Sequence, residues 1–216
     1  MKSRKTATIL VDAPPRISLL ERNKIAKYSR ILEAGRALFN EHGFEATTTQ
    51  AVANAAGIGV GTLFSYVSTK EDLLIIVFMD DLQSAVDNAF RKVRPEDRLV
   101  DRILTLYDGL LEYHISHFGL SRYLMREVVN VSNLLTKEKV AGLMGTIHTY
   151  VSSFFEAEQN DKGYSTDLNI ALMSANCFAI YYDVLQGAGL EGASLASVRE
   201  VLRARLRLQV EPHYVG

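Results

Sequence analysis

Cysteine occurs once in this chain of 216 residues, proline four times and tryptophan not at all. A lone Cys177 cannot close an internal disulfide, so the small stapled folds of secreted proteins are excluded. With so little proline, long stretches carry no helix breaker. The net charge of −1 argues against a uniformly basic nucleic-acid binder. The longest apolar run, Leu73 to Met79, is far short of the roughly 20 residues that span a bilayer. Lys2, Arg4 and Lys5 precede Asp12 without the apolar stretch of a secretion signal, so cytoplasm is the expected compartment. His114 and His117 lie three apart and His148 is remote, with no third ligand at a fixed spacing. No metal or cofactor is expected, and no nucleophile–base pair or phosphate loop points to an enzyme.

What charge there is lies unevenly. Residues 1–70 carry ten Lys and Arg against five Asp and Glu, and residues 71–216 carry fourteen against twenty. A basic end on an acidic body suits a nucleic-acid reader joined to a second domain. The basic end also holds the most structured motif, in residues 43–74. Thr48 is an N-cap candidate for a helix over Thr49–Ala56, with Val52, Ala53 and Ala56 on one face. Gly57 follows at the position where a left-handed backbone suits glycine. A second short helix is expected from Gly59–Val60 to about Tyr66, with Leu63 and Val67 inward. Thr69 and Asp72 form a capping box for the next helix. Helix, glycine turn and short helix make a helix-turn-helix unit, whose second helix enters the major groove of DNA.

The segments Gly43-Phe44, Thr47-Thr48, Val52-Ala53, Ala56-Gly57-Ile58, Gly61-Thr62-Leu63-Phe64, Tyr66 and Lys70 resemble the DNA-binding signature of the tetracycline-repressor (TetR) family. The resemblance covers residues 24 to 75. It implies phosphate contacts from Thr48, Thr49, the amides after Gly59, Gly61, Tyr66 and Lys70, and base reading by Val60, Thr62, Phe64 and Ser65. Two positions depart from the pattern: Gly59 replaces a hydroxyl residue, and Val60 a polar or basic one. The recognition helix therefore has no Arg, Lys, Asn or Gln for a bidentate base contact. Specificity then falls to DNA shape or to the N-terminal arm.

The rest of the chain reads as helix throughout, so an all-α fold of about nine helices is expected. Residues 1–17 read as a flexible tail, 18–70 as the DNA-binding domain and 71–216 as a ligand-binding and dimerisation domain. Ser18 with Glu21 caps a first helix to about Glu41, with Ile25, Tyr28, Ile31, Leu32, Gly35, Leu38 and Phe39 as its stripe. Later helices are expected over Lys70–Val93, from Pro95 at the first position to His117, over 120–130, from a Thr136 cap to Glu158, from Thr166–Asp167 to Leu185, and over Leu195–Gln209. The resemblance implies a small-molecule pocket in this domain. Tyr107, His114, Met125, Met144, His148, Tyr150, Phe154, Met173, Asn176, Phe178 and Tyr181 are its candidates, although the same spacing also serves plain core. Their character favours an uncharged hydrophobic or aromatic ligand, with Asp183 available to a cation.

The resemblance further implies a homodimer paired through the last two helices, for which Ala171, Ala175, Ala179, Leu202 and Leu206 suit close packing. Ala175 is also read as a position where added bulk fills the pocket. The function implied is a repressor released from a palindromic DNA operator by its ligand. Two other readings are a regulator of the same build that answers to a protein partner, with a filled core, and an all-α enzyme.

Overall fold

The computed structural model describes residues 18–131, 133–160, 164–165, 167–187 and 194–214. The tail over 1–17 and the expected helix start at Thr166 lie outside them. Among the described residues the fold is helical, with one isolated antiparallel bridge between Tyr164 and Tyr214. No helix there is long and apolar enough to cross a membrane.

The helices are α1 (Leu19–Ala46), α2 (Thr49–Ala55), α3 (Val60–Leu63), α4 (Lys70–Phe90), α5 (Leu99–Ser116), α6 (Phe118–Glu127), α7 (Leu134–Asn160), α8 (Ile170–Gly187) and α9 (Leu195–Val210). Short 3-10 turns follow α6 at Val128–Asn130 and α9 at Glu211–His213. Most starts are set by local capping. The hydroxyls of Ser18, Thr69 and Ser194 accept from the amides of Glu21, Asp72 and Ser197, satisfying donors that a helix start leaves free. Gly43 breaks α1 near its end with φ 78°, and Thr47 ties that break down by donating to the carbonyls of Gly43 and Leu38.

α4 is the central element. Leu73 to Met79 are all buried, each contributing about 1.5–3 kcal/mol of apolar transfer free energy. Its neighbours are α1, α5, α6 and α7, and it begins at Lys70, where the two domains were expected to meet. The approach to α5 is close. A Cβ at Gly109 would lie 2.8 Å from the Ala89 methyl and 3.0 Å from the Ala85 carbonyl. Asp81 braces α1 and α5 against α4: Arg36 bonds both its oxygens, at 2.7 and 3.1 Å, and the Tyr113 hydroxyl donates at 3.0 Å.

Several expected boundaries shift. α3 is four residues long, because Ser65 and Tyr66 close tighter bonds back to Thr62 and Leu63. α4 stops at Phe90. Pro95 is not the first residue of α5; it sits second in a turn closed by the Asp97 amide on the Arg94 carbonyl, a favoured place for proline. α7 is capped by Asn133, whose Oδ1 accepts from the Thr136 amide at 3.2 Å, while Thr136 is fully buried inside the helix. Asn169 takes the corresponding place before α8, accepting from the Leu172 amide. Ile25 is 53% exposed, since the first turns of α1 project beyond the core.

Candidate nucleic-acid interface

The helix-turn-helix is built by two caps around one turn. Thr48 Oγ1 accepts from the Ala51 amide at 3.1 Å to open α2. At its other end Gly57 adopts φ 65°. The Ile58 amide reaches back to the Ala53 carbonyl at 3.0 Å, and the Gly57 amide to Asn54 at 3.1 Å. That pair of bonds is a Schellman motif, and it reverses the chain within two residues. Gly59 then begins α3 without a side-chain cap, so the Val60 and Gly61 amides have no intrahelical acceptor. Val52, Ala53, Leu63 and Val67 are buried between the two helices and α1.

This packing leaves one face open. Thr48, Gly59, Gly61, Phe64 and Ser65 are exposed, and Thr49, Val60, Thr62, Tyr66 and Lys70 are half-buried. Phe64 is 46% exposed, unusual for a phenylalanine with no partner to cover it. A Cβ at Gly61 would meet nothing within 4 Å, so the fold itself does not demand glycine there. Ser65 Oγ donates to the Thr62 carbonyl at 2.7 Å, and Tyr66 stacks on Tyr28 of α1. Lys70 is also engaged within the protomer. Its ammonium donates to the carbonyls of Phe44 at 2.9 Å and Glu45 at 3.4 Å, closing the C-terminal end of α1.

Away from this face, α4 to α8 line a partly open cavity of ≈ 60 Å³. Met79, Leu82, Leu110, Leu124, Val128, Leu143, Ile147 and Leu185 line it, with Met125, Met144, Phe178, Tyr181, Tyr182 and His114. Among the described residues no Lys, Arg, Asp or Glu lines it. His114 shares a 3.1 Å hydrogen bond with Ser121 through Nδ1. Burial, with a smaller effect from His117, lowers its pKa to about 4, so the ring is neutral near pH 7. The Tyr181 hydroxyl is buried without a partner.

Residues 31–76 match the family model described as bacterial regulatory proteins, tetR family. The transcriptional regulator UidR of Escherichia coli K12 is 28% identical over 185 residues, covering 82% of this chain and 90% of that one. The chain thus carries a TetR-type DNA-binding domain. It is a DNA-binding transcriptional regulator of the helix-turn-helix type, as its curated relatives are. Two solved structures share the TetR fold. Thermus thermophilus FadR, a TetR family repressor crystallised with lauroyl-CoA, superposes with a TM-score of 0.68 at 21% identity, covering 87% of this chain and 95% of that one. Salmonella enterica GusR gives 0.60 at 24% identity, covering 86% and 95%.

Of the pocket residues that the TetR resemblance suggested, His114, Met125, Met144, Phe178 and Tyr181 meet at the cavity. The others lie elsewhere. Tyr107 is buried in a stack with Tyr181. His148 stands edge-on to Phe178. Phe154 and Tyr150 stack on Phe90, Met173 meets Gln209 of α9, and Asn176 is half-buried outside the lining. The walls from α4, with Leu110 and Leu143, were missed because their spacing is that of ordinary core. Asp183 is paired with Arg205 on the surface rather than facing the cavity.

Ala175 is exposed, as are Ala171 and Ala179, so bulk at 175 does not enter the cavity. Leu202 and Leu206 are fully buried within the protomer and leave no side chain for a partner. The large apolar residues that α8 and α9 turn outward are instead Leu172, Val201 and Leu208, at 58%, 50% and 79% exposure. No group of three His, Cys, Asp or Glu able to hold a metal ion occurs among the described residues.

Proposed function

We propose that this protein is a homodimeric repressor that leaves a palindromic operator when a small, uncharged, apolar ligand occupies the cavity away from its DNA-reading face. One observation carries the ligand half: a cavity whose described lining holds no charged side chain is walled in part by Met79 and Leu82 of α4, the helix that begins at the helix-turn-helix. A ligand shifts the DNA equilibrium only through different affinities for two conformations, and α4 is the element both sites share. Binding pockets are usually about 300–1,000 Å³, so the ligand must open this one further. Met79, Met125 and Met144 suit that, being unbranched and easily rearranged. The FadR structure holds an acyl-CoA. Here no lysine or arginine among the described residues lines the cavity to meet phosphate groups, which favours a neutral ligand.

On DNA, the free amides of Val60 and Gly61 and the groups of Thr48, Thr49 and Tyr66 would hold phosphates. Val60, Thr62, Phe64 and Ser65 would face the bases. The dimer would form through the outward faces of α8 and α9, where Ala171, Ala175 and Ala179 allow close approach beside Leu172, Val201 and Leu208.

The small cavity volume also favours a second reading, in which a protein partner controls the repressor and the core stays filled. Heating the protein with a panel of neutral hydrophobic and aromatic compounds separates the two, since a bound ligand raises the melting temperature. A stabilising compound that also releases operator DNA in an anisotropy titration supports the ligand reading. A panel of widely varied size with no stabilising member supports the partner.

A further inference from the structure

The first turn of α7 is bonded to the DNA-reading end of the molecule at two points. Asn133 uses Oδ1 to cap α7, which leaves its amide nitrogen free to donate. That nitrogen donates to Ser68 Oγ at 2.6 Å. Ser68 lies between the last turn of α3 and the Thr69 cap of α4. The second bond is buried: Thr136 Oγ1 donates to Asp72 Oδ1 at 3.1 Å. Thr136 is fully buried and Asp72 is 5% exposed, so this hydroxyl partners a carboxylate that solvent barely reaches. The two bonds thus arrive on either side of Thr69, where α4 begins.

The chain that carries them leaves the cavity wall and returns to it. Val128 lines the cavity before Asn133, and Leu143 and Met144 line it after Thr136. A displacement of the Leu143 and Met144 wall is carried to Thr136 through about two turns of α7. A hydrogen bond stretched by about 1 Å is effectively lost.

We propose that Asn133 and Thr136 are positioning residues for DNA reading: they fix the angle of α3 against α4, and filling the cavity acts on α3 by breaking their bonds to Ser68 and Asp72. The positioning half stands without any ligand. The cavity half rests on the ligand reading above.

Ser68→Ala removes one exposed hydroxyl and leaves the α7 cap intact. Thr136→Val removes the other hydroxyl at nearly constant shape, and Thr136→Ser keeps it. Affinity is measured on a site selected from random DNA by the wild-type protein, at a temperature where melting curves show every variant folded. Ser68→Ala and Thr136→Val are each expected to weaken operator binding about three- to tenfold, with a smaller effect on random DNA, and Thr136→Ser to restore it. Asn133→Ala with Ser68→Ala should bind no worse than Asn133→Ala alone, the signature of a shared interaction. Unchanged operator affinity with only a lowered melting temperature overturns the positioning role. For the cavity half, Val128→Phe, or Leu143→Phe if the first fails to fold, stands in for an occupant. It should weaken operator binding in the wild-type background and add little to Ser68→Ala/Thr136→Val. An equal loss in both backgrounds overturns the route through these bonds. If the compound panel finds no ligand while both mutational results hold, only the identity of the natural trigger is lost.

Discussion

The ammonium of Lys70 lies 2.9 Å from the carbonyl oxygen of Phe44 and 4.2 Å from the centre of its ring. One side chain at the start of α4 therefore closes the end of α1 by hydrogen bond and cation–π contact together. Lys70→Ala should lower stability by about 1–2 kcal/mol in denaturant melts. The salt dependence of DNA binding should change little. A slope reduced by about two per dimer would instead place this ammonium on the DNA backbone.

Gly61 makes the opposite prediction, since space beside it is open. Gly61→Val should fold with near wild-type stability, yet lose at least about tenfold in DNA affinity, because a branched side chain holds a phosphate away from the α3 amides. Circular dichroism melts and anisotropy titrations report the two quantities separately. Wild-type affinity in a folded Gly61→Val protein rules out that approach of the backbone.

The recognition helix carries no Arg, Lys, Asn or Gln, and this sets the expected operator. Selection from a random pool should return a palindrome, with half-sites about one helical turn apart. Its chosen positions should be rich in A·T steps. An unrepeated half-site would contradict the dimer, and invariant guanines would contradict the base-reading argument.

His114 gives the fold a dependence on pH. Its folded pKa of about 4 lies below the ordinary histidine value of 6.5, so between those values the unfolded chain holds a proton that the folded one lacks. Stability is complete above about pH 6.5 and falls on acidification, at up to about 1.4 kcal/mol per pH unit, until pH 4. Replacing His114 by Leu and its partner Ser121 by Ala should flatten the profile in that window. A slope that survives belongs to other groups.

Cys177 is fully buried, and burial pushes its thiol up to about 12. A maleimide should leave the native protein unlabelled at pH 7 and react once denaturant unfolds it. Rapid native labelling would show that α8 opens on the time scale of the reaction.

The helix-turn-helix could be read in the sequence because its signals are local. Thr48, Gly57 and Thr69 act within three residues of themselves, and each does in the structure what its type predicts. The cavity was half legible. Met125, Met144 and Phe178 announced themselves by type, whereas Met79 and Leu82 sit in a helix buried on nearly every side, where spacing cannot say which residue borders empty space. α8 posed the same difficulty in reverse. It is apolar all round, so its period did not tell that Ala175 faces outward and Cys177 inward. The bond from Thr136 to Asp72 joins positions 64 apart, and no local pattern encodes it; a threonine near a helix start looks first like a cap.

The close seat of Gly109 against Ala85 and Ala89 has a mechanical consequence. Where a methyl group would not fit between two helices, they cannot approach further, and the nearby contact acts as a fulcrum. From there to Lys70, α4 is a rigid arm of about 25 Å at 1.5 Å per residue. Tilting it by about 5° sweeps its DNA-proximal tip through about 2 Å, enough to lift amides off phosphate oxygens. A shift of about 0.6–1 Å near Met79 and Leu82, roughly midway along the arm or closer to the pivot, is thereby magnified two- to threefold at the end that reads DNA.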